Sequence, residues 1–180
     1  MKAKESSYDV AYSMMEAQID FSAAAARLGL NEEEMRADVH DVEAGSPEPG
    51  LPVRKAISIA KVLWMLEWVA AMEERAEPAV VFSSYAETLA PLKDRSGWGV
   101  IEGTATDAER FAIAEAFQKG ALRGVAATMR CVQGLSLTRA CRVLLVDRDP
   151  VLAVNDQVVM RVHREGQTRN VYVTRIIARP

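Results

Sequence analysis

The chain has 180 residues, of which 49% are hydrophobic and 26% are charged, and its formal net charge is −3. This length predicts roughly one domain, and the composition excludes disordered, collagenous and disulfide-rich classes. The most apolar segment, 56–72, is interrupted by Lys61 and Glu67, so we expect no membrane span. Residues 1–10 contain no apolar core of a signal peptide. Two cysteines are too few for a disulfide framework or a four-cysteine zinc site.

Charge is distributed unevenly along the chain. Residues 1–118 contain 11 Lys or Arg and 21 Asp or Glu, a balance of −10. Residues 119–180 contain 11 and 4, a balance of +7, and ten of these 11 cations are arginine. The planar guanidinium pairs with phosphate oxygens in a bidentate way. The asymmetry therefore indicates either a phosphate-binding surface or an uneven distribution of solvated charge, and charge alone does not distinguish the two.

The first 45 residues are predicted to be helical and separate from the rest. Residues 21–28 are alanine-rich and end before a glycine, and Asn31 with Glu34 forms a capping-box pattern for a second helix. A helix, a tight turn and a helix are also the order of a helix-turn-helix DNA reader, but phosphate would repel this acidic second helix. We interpret residues 1–45 as a helical appendage for packing or for a partner, followed by a Pro- and Gly-rich linker over 46–53.

From residue 54 onward, short apolar runs alternate with helical segments. The predicted strands are 79–82, 98–101, 124–128, 142–146 and 170–177. The predicted helices are 54–75, 85–92, 106–118 and one that opens at Asp149-Pro150, with Pro150 at its first position. This alternation predicts an α/β domain over 54–180, in which a parallel sheet is covered by helices on both faces. Ligands bind such sheets beyond the carboxyl ends of the strands.

Motifs of a self-sufficient enzyme are absent from the sequence. It contains no Gly-Lys pair, and therefore no G-x-x-x-x-G-K-[ST] P-loop, and no G-x-S-x-G nucleophile elbow. The informative segment is 155–169. On a helix, Gln157, Arg161 and Arg164 would fall at i, i+4 and i+7 and form one polar stripe. Spacing alone favours a solvated face, but two arginines one turn apart, at the far end of a helix that leaves a parallel sheet, are also suited to grip a polyphosphate.

Five segments carry a resemblance to a known family. They are Val-Val-Phe-Ser-Ser-Tyr at 80–85, Glu-Gly-Thr-Ala-Thr at 102–106 with Glu-Arg at 109–110, Phe-Gln-Lys-Gly at 117–120, Thr-Met-Arg at 128–130 with Gly-Leu-Ser-Leu-Thr at 134–138, and 157–168 with its Gln, two Arg and Gly-Gln-Thr. In this order they resemble motifs IV to VI of the second RecA-like lobe of superfamily 2 helicases, specifically the Swi/Snf-type double-stranded-DNA translocases. The sequence departs from the family at Ser136, where Asn is usual, at 131–132, where a glycine pair is usual, and at 158–160, where Ala-x-Asp is usual.

The resemblance implies half of an ATPase. In that family ATP and Mg²⁺ lie between two lobes, and the first lobe carries the P-loop and the DExH box. The second lobe contributes arginines to the γ-phosphate. The resemblance therefore implies that Arg164 is an arginine finger, Arg161 its companion and Gln157 the residue that orients them. Gly134 and Ser136 would join Arg161 and Arg164 in cofactor binding.

The resemblance also implies contacts to the DNA backbone. The implied residues are Ser83, Thr104, Thr128 and Arg130, which would bind phosphates and so carry no sequence preference. Ser83 and Thr104 are alternatively helix caps.

Three functional hypotheses follow. The chain is expected to be the second-lobe half of a split translocase, which partners a separately encoded first lobe and double-stranded DNA and does not hydrolyse ATP alone. The alternative is a non-catalytic DNA-binding or protein-assembly module that retains the lobe, and a third possibility is a piece of a longer enzyme. A small split gene is typical of phage or compact bacterial genomes, which predicts the cytoplasm of a bacterial or phage-infected cell.

Overall fold

The computed structural model describes residues 8–180, in which six strands form one parallel sheet. The strand order is β1-β6-β5-β2-β4-β3. The strands are β1 (Val10–Gln18), β2 (Ala79–Ser83), β3 (Trp98–Ile101), β4 (Gly124–Thr128), β5 (Arg142–Leu145) and β6 (Val171–Arg179). The predicted α/β fold with a parallel sheet is confirmed, and the five strands predicted after residue 54 all form.

Within residues 8–180, seven α-helices accompany the strands. They are α1 (Phe21–Leu28), α2 (Glu32–Ala44), α3 (Leu51–Ala60), α4 (Val62–Glu74), α5 (Ala86–Leu89), α6 (Asp107–Gln118) and α7 (Leu152–Val159). Short 3-10 turns follow α5 and β4, over Ala90–Leu92 and Met129–Cys131. None of the helices in residues 8–180 is long and apolar enough to span a membrane.

The sheet separates two hydrophobic clusters, because helices cover both of its faces. One cluster joins side chains of α1 to α4 to the sheet and includes Phe21, Met35 and Trp68. The other includes Phe117 of α6 and Val158 of α7. All five residues of β2 are buried, as a strand covered on both faces requires. The helices predicted for both faces are therefore confirmed.

The prediction that residues 1–45 are helical is wrong at β1. Val10–Gln18 pairs in parallel with β6, from Val10 opposite Val171 to Gln18 opposite Arg179. The partner of this strand lies more than 150 residues away in sequence, so no local turn or hairpin pattern indicates it. The two predicted helices do form, and Asn31 caps α2, because its side-chain oxygen accepts hydrogen bonds from the N–H groups of Glu33 and Glu34. Residues 1–7 of the predicted appendage lie outside the described residues.

A buried ion pair joins α2 to the sheet. Glu43 Oε1 lies 2.6 Å from Lys61 Nζ and accepts the Ala178 N–H at 3.0 Å. Lys61 Nζ also donates to the carbonyls of Val146 and Ile176, each at 3.0 Å. The single helix predicted here is interrupted at Lys61, which is the C-cap of α3 and the N-cap of α4. The predicted domain bounds themselves stay a prediction.

Candidate functional site

The carboxyl ends of β2, β3, β4 and β5 lie along one side of the parallel sheet, which we call the carboxyl edge. Ser83 ends β2 and is the register partner of Thr128, which ends β4. Arg130 lies in the 3-10 turn directly after β4, and Asp147 follows β5. The fold therefore brings three of the four predicted DNA-binding residues to neighbouring strand ends.

Asp147 organises the end of β2. Its carboxylate is 4% exposed and accepts hydrogen bonds from Ser58 Oγ at 2.6 Å, Ser83 Oγ at 2.5 Å and the Ser84 N–H at 2.8 Å. Ser83 is fully buried, and its Oγ also accepts the Tyr85 N–H at 3.0 Å. The Ser83 hydroxyl therefore has a structural role in the turn before α5. Its contact to DNA stays a prediction.

Asp149 holds Arg130 at the surface. The Asp149 carboxylate is buried and lies 3.2 Å from Arg130 Nη2, while the Arg130 side chain is 66% exposed. Asn155 binds the backbone of Asp149 on both sides, with Oδ1 accepting its N–H at 3.0 Å and Nδ2 donating to its carbonyl at 2.8 Å. The guanidinium is thus oriented by a hydrogen-bonded loop, a suitable arrangement for a phosphate contact.

The same loop places the start of α7 later than the sequence predicts. Asp149 Oδ1 accepts the Val151 N–H at 2.9 Å, and the helix begins at Leu152 with Val151 at the N-cap. The prediction that Pro150 opens this helix is wrong, because the carboxylate forms a separate turn before the helical ladder begins.

The predicted helical stripe is also wrong. Gln157 lies within α7, but the helix ends at Val159, so Arg161 and Arg164 lie in the turns beyond it. The backbone carbonyl of Arg161 accepts the Leu137 N–H at 2.9 Å. Further on, Gln167 Nε2 donates to the Val162 carbonyl at 3.0 Å. The helix end tightens into i→i−3 bonds, from the Arg161 N–H to the Val158 carbonyl and from the Val162 N–H to the Val159 carbonyl, and the carbonyls beyond it bind loop partners.

The two arginines nevertheless meet the other predicted cofactor-binding residues. Arg164 Nη1 donates to the Leu135 carbonyl at 3.4 Å, and the Arg161 carbonyl binds Leu137 as described above. Ser136 lies between these two bonded residues. Gly134 adopts a φ of 78°, a left-handed conformation that favours glycine. Residues 134–137 and the turn carrying both arginines therefore form one surface.

Gln157 and Arg161 also lie near one of the predicted DNA-binding residues. Both line a small concavity that is lined by Arg130 and Gln133 as well. Predicted catalytic and DNA-binding residues therefore share this concavity at Arg161 and Arg130, whereas Arg164 is not among its lining residues.

The two remaining threonines differ in environment. Thr104 is exposed beyond β3, and its hydroxyl donates to Glu102 at 3.2 Å. The N-cap of α6 is Thr106, which forms a complete capping box with Glu109, so the interpretation of Thr104 as a helix cap is wrong. Thr128 is 9% exposed, and within residues 8–180 its Oγ1 has no hydrogen-bond partner.

Arginines of the second part of the chain do not form a single basic surface. Three of them form ion pairs with acidic residues of the first part: Arg142 with Glu77, Arg175 with Glu43, and Arg179 with Glu16. Uneven charge along the sequence is therefore partly cancelled by tertiary pairing. Arg130, Arg161 and Arg164 remain near the carboxyl edge.

Tyr85 supplies a neutral polar group close to the same edge. Burial is the main cause that raises its pKa above the ordinary value of 10.0. Arg54 opposes the shift, and the carboxylates of Asp147 and Asp149 add to it. The phenol therefore keeps its proton at neutral pH.

Residues 58–166 match the family model described as the helicase conserved C-terminal domain. The chain belongs to this family. This chain is similar in fold to the C-terminal part of the Fun30 ATPase domain. The TM-score is 0.69, and the sequence identity is 11% over 96% of this chain and 86% of that one. No curated protein matches the chain in sequence.

Two structures from Sulfolobus solfataricus have the same fold. The SWI2/SNF2 ATPase core domain has a TM-score of 0.63 and 17% identity over 93% of this chain and 39% of that one. The SWI2/SNF2 ATPase core in complex with dsDNA has a TM-score of 0.63 and 18% identity over 94% of this chain and 41% of that one. The chain thus spans less than half of these cores. The family match confirms the recognition of a helicase C-terminal lobe, and these structures share its fold. The Swi/Snf type stays a prediction.

Asp147, Asp149 and Asn155, which help to build this site, lie outside the matched motifs, and Gln167 lies inside one of them but was assigned no role. Asp147 and Asp149 follow a buried strand directly, and the rule that ligands bind at carboxyl ends was the available signal for them. Asn155 and Gln167 fix the flanking turns through backbone hydrogen bonds. The bond from Gln167 to the Ala140 carbonyl joins residues 27 positions apart and depends on the tertiary fold, whereas the partner of Asn155 lies only six residues earlier.

Proposed function

We propose that this helicase C-terminal domain is the second-lobe half of an ATP-dependent double-stranded-DNA translocase. A separately encoded first lobe would supply the P-loop and the DExH box. The observation that carries the proposal is the direct bonding of the two nucleotide-side segments. The Leu137 N–H donates to the Arg161 carbonyl at 2.9 Å, and Arg164 Nη1 donates to the Leu135 carbonyl at 3.4 Å.

The residues on this surface fit the phosphate end of a nucleotide. Arg161 and Arg164 offer two guanidinium groups, and Gly134 allows close approach of the backbone. ATP and Mg²⁺ would be shared with the first lobe, with Gly134, Ser136, Arg161 and Arg164 as the contribution of this chain. When ATP is bound, it supplies the γ-phosphoryl group. Arg164 would stabilise negative charge on the phosphate oxygens, and Gln157 and Arg161 would keep its position.

The carboxyl edge would bind the duplex backbone. Arg130 is oriented by Asp149 and largely exposed, and Thr104 is exposed on the loop after β3. Thr128 is a further predicted contact, but its hydroxyl is buried and has no hydrogen-bond partner within residues 8–180, so it does not carry the proposal. A structure of similar fold was solved in complex with dsDNA, which supports this part of the proposal. Contacts of this type bind phosphates and predict no sequence preference.

The alternative function is a non-catalytic DNA-binding or protein-assembly module. One observation favours it: Ser83 is fully buried and bonded to Asp147, so one of the four proposed DNA contacts belongs to the internal structure of the fold.

The deciding experiment is reconstitution with the first lobe. Affinity capture from the native host, followed by mass spectrometry, should identify a chain with a P-loop and a DExH box. This chain alone should hydrolyse no ATP, whereas the pair should hydrolyse it when duplex DNA is added. Arg164→Ala should lower the turnover of the pair by roughly 10³-fold or more and leave DNA binding nearly unchanged, because the guanidinium acts on charge that develops during phosphoryl transfer.

Two further variants control this experiment. Arg164→Lys should restore little activity, since a flexible ammonium does not reproduce a planar guanidinium. Arg169→Ala removes an arginine that donates to the Arg139 carbonyl, outside the proposed site, and should have a mild effect. Equal small losses for Arg164→Ala and Arg169→Ala would refute the arginine-finger role and favour the non-catalytic module.

A further inference from the structure

β1 is an edge strand without the features that usually protect such edges. It spans nine residues, Val10–Gln18, and pairs one-to-one with β6 without a bulge. Among the described residues, 8–180, no strand pairs with its outer side. Natural edge strands are normally protected by lysine, proline or a bulge. The sequence of β1 contains none of these and has one charged residue, Glu16.

The hydrogen bonds at the two ends of β1 show which backbone groups face outward. The Val171 N–H donates to the Asp9 carbonyl, and the Ile19 N–H donates to the Arg179 carbonyl. Odd-numbered residues of this segment therefore face β6. Since bonding residues alternate along a parallel strand, the even-numbered residues direct both N–H and C=O toward the free edge. These residues are Val10, Tyr12, Met14, Glu16 and Gln18.

The exposed side chains of this edge are apolar at its centre. Tyr12 is 68% exposed and Met14 is 72% exposed, and both lie on the same face because they are two residues apart. The one charge is already compensated, since Glu16 Oε1 lies 2.9 Å from Arg179 Nη2. Burying this edge would thus remove apolar surface from water without isolating a charge.

The geometry points to a second copy of this chain as the partner of β1. The two β1 strands would run antiparallel about a twofold axis at Met14 and join the two sheets edge to edge. Met14 then faces Met14, Tyr12 faces Glu16, and Val10 faces Gln18. Every outward-facing residue meets an outward-facing residue, which is the requirement for a hydrogen-bonded antiparallel pair.

The edge is complementary to itself, which is why the partner is a second copy. A twofold interface must match its own surface, and this register places no like charges opposite each other. The two carboxyl edges point in opposite directions in such a dimer, because the strands run antiparallel. The dimer therefore leaves the proposed nucleotide and DNA surfaces free and is independent of the proposed function.

Sedimentation and light scattering of the full chain test the dimer. The mass should rise from 19.8 kDa toward twice that value as concentration increases. Met14→Lys places two like charges opposite each other at the axis and should keep the chain monomeric. Met160→Lys is the matched control, because Met160 is an exposed methionine at the end of α7, and it should dimerise like the unsubstituted chain. Circular dichroism checks that both variants are folded.

A disulfide tests the register itself. The Cα atoms of a hydrogen-bonded antiparallel pair lie about 5.5 Å apart, which suits a disulfide. Oxidised Met14→Cys should form a covalent dimer, whereas Met160→Cys should match the unsubstituted chain, which reports the background from Cys131 and Cys141. The proposal is overturned if the measured mass stays that of a monomer up to a chain concentration of about 500 µM, at which all but very weak interfaces would have formed. Dimers that survive Met14→Lys, or equal crosslinking of the two cysteine variants, would overturn it as well.

Discussion

Asp147→Ala tests whether the buried carboxylate holds the carboxyl edge together. The substitution removes the acceptor of three hydrogen bonds, from Ser58 Oγ, Ser83 Oγ and the Ser84 N–H. A hydrogen bond to a charged group contributes about 1.5–3 kcal/mol. The loss is smaller than three times this value, because removing Asp147 also removes its own desolvation cost. In addition, Ser58 keeps a bond to Thr88 at 2.8 Å.

We therefore expect Asp147→Ala to lower the free energy of unfolding by about 3 kcal/mol, chiefly because the Ser84 N–H loses its partner. For a chain of this size the melting temperature should fall by about 6–12 °C. Urea unfolding followed by circular dichroism measures the first quantity, and calorimetry measures the second.

Asp94→Ala is the control for this measurement. Asp94 is exposed in the turn before β3, and its removal should change the free energy of unfolding by no more than about 0.5 kcal/mol. If Asp147→Ala and Asp94→Ala cost the same, the carboxylate does not hold the end of β2. Ser83 would then be free to leave its buried position, and the structural role assigned to it would be refuted.

Three further predictions concern DNA binding and stability. Arg130→Ala should make the slope of log K for duplex binding against log[salt] shallower by about 0.9, because one phosphate contact is lost. Arg123→Ala, at the opposite end of β4, should leave this slope unchanged. Fluorescence anisotropy at several salt concentrations distinguishes these outcomes. Glu73→Gln should destabilise the fold at neutral pH, because the hydrogen bond from Arg95 lowers the Glu73 pKa below its ordinary value of 4.5. That contribution is present above pH 4.5 and is lost as the pH falls through the lowered pKa, so unfolding curves that differ equally at neutral and acidic pH would contradict it. Thr106→Ala should cost about 1 kcal/mol in urea unfolding because it removes the capping box of α6, and an unchanged midpoint would show that the cap does not stabilise the helix.

The order of elements after residue 54 could be predicted from the sequence because its signals are local. Val80 to Phe82 is an uninterrupted apolar run, which indicates a strand buried on both faces. Thr106 and Glu109 lie three residues apart before a helical pattern, and they form the predicted type of cap. The family resemblance depends on the same kind of information, since each motif is a short run of residues.

The fold determined features whose partners are distant in sequence. β1 exists because β6, more than 150 residues later, supplies its hydrogen bonds. Likewise, the carbonyls of Arg161 and Val162, beyond the end of α7, accept hydrogen bonds from Leu137 and Gln167 instead of from a continued helix.

By itself, the sequence determined the α/β class, the predicted strands after residue 54, the family resemblance and the set of candidate site residues. Only the tertiary structure decided which of these residues lie together and which hydroxyls are internal, as for Ser83, bonded to Asp147. The physical reason is that periodicity and capping act between neighbours in the chain. Burial and hydrogen bonding at a strand end are set by groups that become neighbours only when the sheet forms.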